Sequence, residues 1–172
     1  GEFRQWYDRA GMQTDFTGLY DSPAQRIIKN IPGDRRTMLV HNTCVGRAET
    51  DLLKDHFGQR LTMVLCPQSN AYISGLKPPA SLLASSGVRI ALGTDSLASN
   101  TSLSMVEGMK AIEGVPLETM LRWATIAGAQ ALGVDDRYGS LQVGKRPGIA
   151  LLEGVDWRTM TLTPSASSRR LL

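Results

Sequence analysis

Residues 88–95 read Val88-Arg89-Ile90-Ala91-Leu92-Gly93-Thr94-Asp95. A short, mostly apolar run gives way to Gly-Thr and then to a carboxylate. Two upstream stretches share this form: Thr37-Met38-Leu39-Val40 leads into His41-Asn42, and Leu61 to Leu65 leads into Cys66-Pro67. Each run is strand-sized and apolar throughout rather than alternating, the pattern of a strand buried on both faces. Between the first two, Arg47 to Phe57 sets Leu52, Leu53 and Phe57 on one side of a helix that Gly58 stops. Between the second and third, a Ser/Asn/Gly loop leads to Pro79 and a short helix through Leu82 and Leu83. Strands alternating with helices predict an α/β fold, a parallel sheet of right-handed βαβ units.

Upstream, residues 2–8 carry Phe3, Trp6 and Tyr7 at helical spacing, and residues 11–21 read as a loop. Ser22-Pro23 is a helix start, with Ser as N-cap and Pro in the first turn, and Pro32-Gly33-Asp34 ends that helix. Downstream, Ser104 followed by Glu107 has the form of a capping box, with Ser102 as an alternative cap. Leu117, Met120, Leu121, Ala124, Gly128, Ala131 and Leu132 recur at helical spacing after Pro116, so one long helix is expected, with Gly133 at its end. Beyond it the chain changes character. Ser140 to Val143 and Ile149 to Leu152 predict a hairpin around Gly144-Lys145-Arg146-Pro147-Gly148, and Thr159 to Leu162 a further strand. A boundary is placed near residue 137, giving an α/β part over 1–137 and a β-rich part over 138–172.

Composition narrows the function classes. The chain has 172 residues, 42% apolar and 20% charged, within the usual range for a folded domain. No run approaches the roughly 20 apolar residues of a membrane span. The opening Gly-Glu-Phe-Arg-Gln-Trp has neither the basic nor the apolar region of a secretory leader. The net charge is +3, but the basic residues are scattered. The tight pairs Arg35-Arg36, Lys145-Arg146 and Arg169-Arg170 form no stripe for nucleic acid. Two cysteines, Cys44 and Cys66, lack metal-site spacing, and a reduced, cytoplasmic setting is expected.

In parallel α/β folds, chemistry gathers where strands end at their carboxyl side. Here those ends hold His41-Asn42, Cys66-Pro67 and Thr94-Asp95. Asp95 can bind a divalent metal or take a proton from an activated water, or it can order its own loop by accepting backbone N–H bonds. His41 can act as general acid, base or substrate ligand, or sit hydrogen-bonded in the core. Cys66 can be a nucleophile, but no base adjoins it in sequence, and a buried apolar thiol is the simpler reading. His56, in the polar run Lys54-Asp55-His56, reads as a surface residue near a helix end.

Five segments together resemble a known family. Ala91-Leu92-Gly93-Thr94-Asp95 with Ser99-Asn100 resembles the "LGTD…SN" segment of the amidohydrolase superfamily, in its cytosine deaminase and chlorohydrolase-like branch. Val40-His41-Asn42 resembles the turn after barrel strand six, and Cys66-Pro67-Gln68-Ser69-Asn70 the "HCPxSN" turn after strand seven. Ala124 to Gly133 resembles the "AT…GA.ALG" helix, and Gly139 to Gly148 the "GSLEVGK.AD" hairpin leading to a small β-sandwich.

The resemblance implies a (β/α)8 barrel holding one divalent metal, zinc or iron, and hydrolysis at a ring carbon, most often loss of ammonia from a purine- or pyrimidine-like small molecule. It implies that Asp95 is the metal-binding aspartate and proton acceptor after strand eight. It also implies that His41 contacts the water or the reacting group, and that Cys66 and Asn70 contact substrate. Cys66 stands where many relatives have His. The family's other metal ligands are an HxH pair after strand one and a histidine after strand five. This sequence has two histidines and no HxH. A barrel of this kind takes about 250 residues, so the chain is expected to be a C-terminal fragment spanning strands six to eight. By itself it is expected to hold no tight metal and to be inactive, and its open sheet edges are expected to drive homo-oligomer formation. A chlorohydrolase or other C–N hydrolase on the same scaffold is the alternative enzyme reading, and a non-catalytic α/β module the alternative outside enzymes.

Overall fold

The computed structural model describes residues 2–12 and 20–172; the expected loop at 11–21 lies largely outside them. Helix α1 spans Glu2–Arg9 and α2 spans Pro23–Asn30. The α2 start follows its sequence signal: Ser22 Oγ accepts the Gln25 N–H at 3.2 Å and Pro23 sits in the first turn. Its end follows from Pro32, which disfavours helical backbone at the preceding residue; Ile31 is extended, with φ −119° and ψ 118°.

Strand β1 (Thr37–Val40) is followed by α3 (Arg47–Phe57) and a 3-10 turn at Gly58–Arg60. Then come β2 (Leu61–Leu65), α4 (Pro67–Ser74), α5 (Ala80–Ala84) and β3 (Arg89–Leu92). The three strands pair in parallel in the order β1-β2-β3, with Leu39 opposite Met63 and Met63 opposite Ile90. Leu61, Met63 and Leu65 point into the core with Ile90 and Leu92, where they meet Leu53 and Phe57 of α3 and Leu83 of α5. On α3 the buried side is Thr50, Leu53 and Phe57, while Leu52 faces out. Two-sided burial holds for β2. On β1, Met38 and Val40 remain about half exposed, whereas Thr62 and Ala91, on the same face of β2 and β3, are buried.

Three expectations are corrected. The segment after Cys66 is a helix, not a loop: Pro67 occupies its first turn, where its missing N–H costs nothing, and Gly75 closes it in left-handed conformation. The helix expected over 116–132 is two, α7 (Leu117–Ala124) and α8 (Ile126–Leu132), after α6 (Met105–Lys110). The break is at Thr125, with φ −130° and ψ −96°, and it lets both pieces pack on β3. The expected hairpin is displaced. Residues 140–143 form no strand, and Leu141 and Val143 stand exposed. The observed hairpin joins β4 (Ala150–Asp156) to β5 (Thr161–Arg170). Its turn is built by Asp156, whose Oδ1 accepts the Arg158 and Thr159 N–H groups, and by Met160 at φ 53°.

Of the two candidate caps on α6, Ser104 is the one used, accepting the Glu107 N–H at 3.4 Å. Lys110 of α6 donates to the carbonyls of Pro164 and Ala166, and Ala166 enters the main core, so the hairpin docks on α6. No helix among the described residues is long and apolar enough to cross a membrane.

Candidate active site

The carboxyl ends of the three strands bring His41, the start of α4 and Asp95 together. His41 and Asn42 leave β1 with φ 74° and 52°, and Asp95 leaves β3 with φ 59°. A left-handed backbone at a residue other than glycine costs energy and persists only where its surroundings hold it. The holding groups are visible. The His41 N–H donates to the Val64 carbonyl at 2.9 Å, and Asn42 Nδ2 donates to the carbonyls of Leu39 at 2.7 Å and Val64 at 3.3 Å. Asn100 Nδ2 donates to the Thr94 carbonyl at 2.8 Å and fixes the loop on the other side.

Asp95 Oδ2 is the hub. Ser69 donates to it at 2.7 Å from α4, and Ser99 at 3.0 Å from its own loop. The two hydroxyl oxygens are also 2.8 Å apart. With one proton each, they can satisfy two of these three contacts at a time, so the carboxylate oxygen sits in a compact, exchanging triangle. Hydrogen bonds from Ser69 and Ser99 and from the Ser96 N–H stabilise the charged form; with the nearby His41 they hold the Asp95 carboxyl below its ordinary value against a smaller opposing desolvation.

His41 Nε2 faces Asp95 Oδ2 at 3.9 Å, too long for a direct hydrogen bond. About 40% of the His41 side chain and 34% of the Asp95 side chain remain accessible, so a small molecule can reach the gap between them. On the far side of the ring, His41 Nδ1 lies 2.8 Å from Asn70 Oδ1, and Asn70 Nδ2 donates to the His41 carbonyl at 3.2 Å. Cys66 lies beneath this layer, 2% exposed. Burial, reinforced by the Asp95 charge, pushes its thiol above the ordinary value, so it is a neutral packing group rather than a nucleophile at neutral pH. Gly93 lies close beside it: a Cβ there would come within 3.2 Å of both Cys66 Sγ and Val64 Cγ1.

All four residues singled out from the sequence, His41, Cys66, Asn70 and Asp95, therefore stand at one end of the sheet. Ser69 and Ser99 were missed as site residues, although both lie inside the quoted motifs. The available signal was position: Ser69 lies four residues past the end of β2, and Ser99 four residues past Asp95. His56 takes no part; its Nε2 bonds the Ile31 carbonyl at 2.8 Å and its ring meets Phe57 edge-on. Cys44 is exposed and free.

Asp95 and His41 are the side chains here that could donate to a divalent metal. Among the described residues there is no group of three or more His, Cys, Asp or Glu side chains able to hold such an ion. A zinc site takes about four ligands, so these residues do not make a metal site by themselves.

A family model described as "Amidohydrolase family" matches residues 4–168. Over 139 residues, 73% of this chain, the sequence is 39% identical to a 5-methylthioadenosine/S-adenosylhomocysteine deaminase of Syntrophobacter fumaroxidans, covering 30% of that protein. Among solved structures, an adenosine deaminase from Xanthomonas campestris with bound zinc matches with a TM-score of 0.69 and 27% identity, over 92% of this chain and 41% of its own. A Helicobacter pylori aminofutalosine deaminase in complex with methylthio-coformycin matches with a TM-score of 0.70 and 27% identity, over 86% of this chain and 37% of its own. The chain spans less than a third of the length of the curated relatives it matches.

Proposed function

Because the chain belongs to the amidohydrolase family, we propose that it is the site-bearing back part of a hydrolase that removes ammonia from the ring of a purine-like substrate. β1, β2 and β3 take the places of barrel strands six, seven and eight within residues 1–137, and residues 138–172 belong to a small β-sandwich. The observation that carries the reading is the placement of Asp95 and His41 across an accessible gap at the carboxyl end of a parallel sheet. The deaminase relatives named above support the reaction class.

The chemistry asks little of each group. A water oxygen adds to the ring carbon that bears the amino group, the C–N bond breaks, and nitrogen leaves as ammonia with one of the water protons. The ionised Asp95 carboxylate is placed to accept a proton from that water, and Ser69 and Ser99 keep the carboxylate charged and fixed. His41 Nε2 faces the same gap and is placed to contact the water or the departing amine. Cys66 shapes the floor. The zinc or iron of the complete enzyme would draw on Asp95 and take its other ligands from sequence outside this chain, so the 172-residue chain alone is inactive and binds no tight metal. The free cysteines suit a reducing cytoplasmic compartment.

The test is an assay of the full-length protein with adenosine, 5-methylthioadenosine and S-adenosylhomocysteine, following ammonia. Turnover in the wild type, with Asp95→Asn slower by 100-fold or more, is the expected result. Chloride release from a chlorinated ring without any ammonia from amino-substituted rings would replace this reading with the chlorohydrolase one. Stoichiometric metal and turnover in the 172-residue chain would overturn the view that it is incomplete.

A further inference from the structure

We infer that Asn70 is a positioning residue that decides which nitrogen of His41 carries the proton, leaving the lone pair on Nε2, the nitrogen that faces Asp95. The His41 carbonyl can only accept a hydrogen bond. Asn70 Nδ2 donates to it at 3.2 Å, and this fixes which way the amide points. Oδ1 must then face the ring, 2.8 Å from His41 Nδ1. An amide oxygen also only accepts, so Nδ1 is the protonated nitrogen of the neutral imidazole, and Nε2 is left with its lone pair.

Asn70 is itself held: it is 3% exposed, its N–H bonds the Cys66 carbonyl at 2.9 Å, and its carbonyl accepts from Ser74 at 2.8 Å. One buried side chain thus reads both the backbone and the ring of a residue 29 positions away, from the helix that follows the neighbouring strand. A buried amide whose oxygen met a bare ring nitrogen would lose a hydrogen bond and set two lone pairs against each other. The second histidine supplies an internal reference. His56 Nε2 lies 2.8 Å from the Ile31 carbonyl, so His56 must be protonated at Nε2, the opposite tautomer.

The inference rests on the reading of His41 as part of the active site, but its test does not depend on activity. In the full chain labelled with 15N-histidine, at a pH where both rings are neutral, long-range proton–nitrogen spectra distinguish the two tautomers. His41→Gln identifies the His41 signal. The wild type is expected to show His41 protonated at Nδ1 and His56 at Nε2. Asn70→Ala should move His41 toward the Nε2-protonated form while His56 stays unchanged. A wild-type His41 protonated at Nε2, or an unchanged His41 in a folded Asn70→Ala variant, overturns the proposal. If Asn70→Ala loses the His56 signature, the wild type decides, and an Nε2-protonated His41 there overturns it. In the full-length enzyme, Asn70→Ala should lower kcat about tenfold or more with KM held. Absence of ammonia release from the wild type with the tautomer pattern intact would remove the deaminase reading and leave this one standing.

Discussion

At the scale of single residues, Asp95 is defined by what donates to it. Its carboxyl is held low in the folded chain first by Ser69, then by Ser99 and the Ser96 N–H. The sign follows. A carboxyl lowered on folding contributes stability that is fully present above its ordinary value of 3.8 and is lost as the pH falls through the folded value. Ser69→Ala and Ser99→Ala should each move the Asp95 titration up toward the ordinary value, with the larger movement for Ser69. A carboxyl 13C titration measures it directly; an Asp95 that titrates unchanged in both variants would mean that the hydroxyl triangle does not set its charge. The chemical type of the site residues was open to inspection in the sequence, since His41, Cys66 and Asp95 each end an apolar run. Their relations were not. Nothing in residues 67–70 announces that Ser69 turns to Asp95 while its neighbour Asn70 turns to His41, because those partners lie 26 and 29 positions away in the chain.

At the scale of elements, the β4–β5 hairpin shows how one residue without a side chain sets a register. The pairing shifts between Glu153 and Val155, and Gly154 sits there at φ 76°, where a Cβ would meet Ala166 Cα at 2.7 Å. A bulge lets Ala166 turn inward to the core while the strand continues. Gly154→Ala should therefore destabilise the chain by about 1–3 kcal/mol. Amide exchange should accelerate over 150–170 more than over β1, β2 and β3. Uniform acceleration across the chain would show that the hairpin has no separate stability, and no change would show that the close approach is relaxed at no cost. The sequence pattern located the β-rich region but paired the wrong segments. Residues 140–143 alternate as a strand does, yet pairing depends on a partner in space, and the partner of β4 turned out to be the longer β5.

At the scale of the whole molecule, the parallel sheet among the described residues has three strands in the order β1-β2-β3. β1 and β3 are its edges, and Met38 and Val40 of β1 lie half exposed. An unpaired parallel edge with apolar neighbours is a template for association, so the 172-residue chain should form oligomers. Sedimentation equilibrium should report species larger than a monomer, and the double variant Met38→Lys, Val40→Lys should weaken association at least tenfold. A wild-type chain that stays monomeric at high concentration would remove the edge as its cause.

The sequence by itself determined the alternation of apolar runs with helices, the parallel sheet they form and the polar residues that close each strand. Those features follow from local periodicity and from the burial of short apolar runs, which neighbouring residues are enough to specify. Only the tertiary structure decided that Ser69 and Ser99 share one carboxylate oxygen, that Asn70 holds His41 by both backbone and ring, and that helix α7 gives way to α8 at Thr125. They depend on Ser69 meeting Asp95 across 26 positions, on Asn70 meeting His41 across 29, and on two helices fitting one strand. Distances of that kind are set by packing, and no local pattern encodes them.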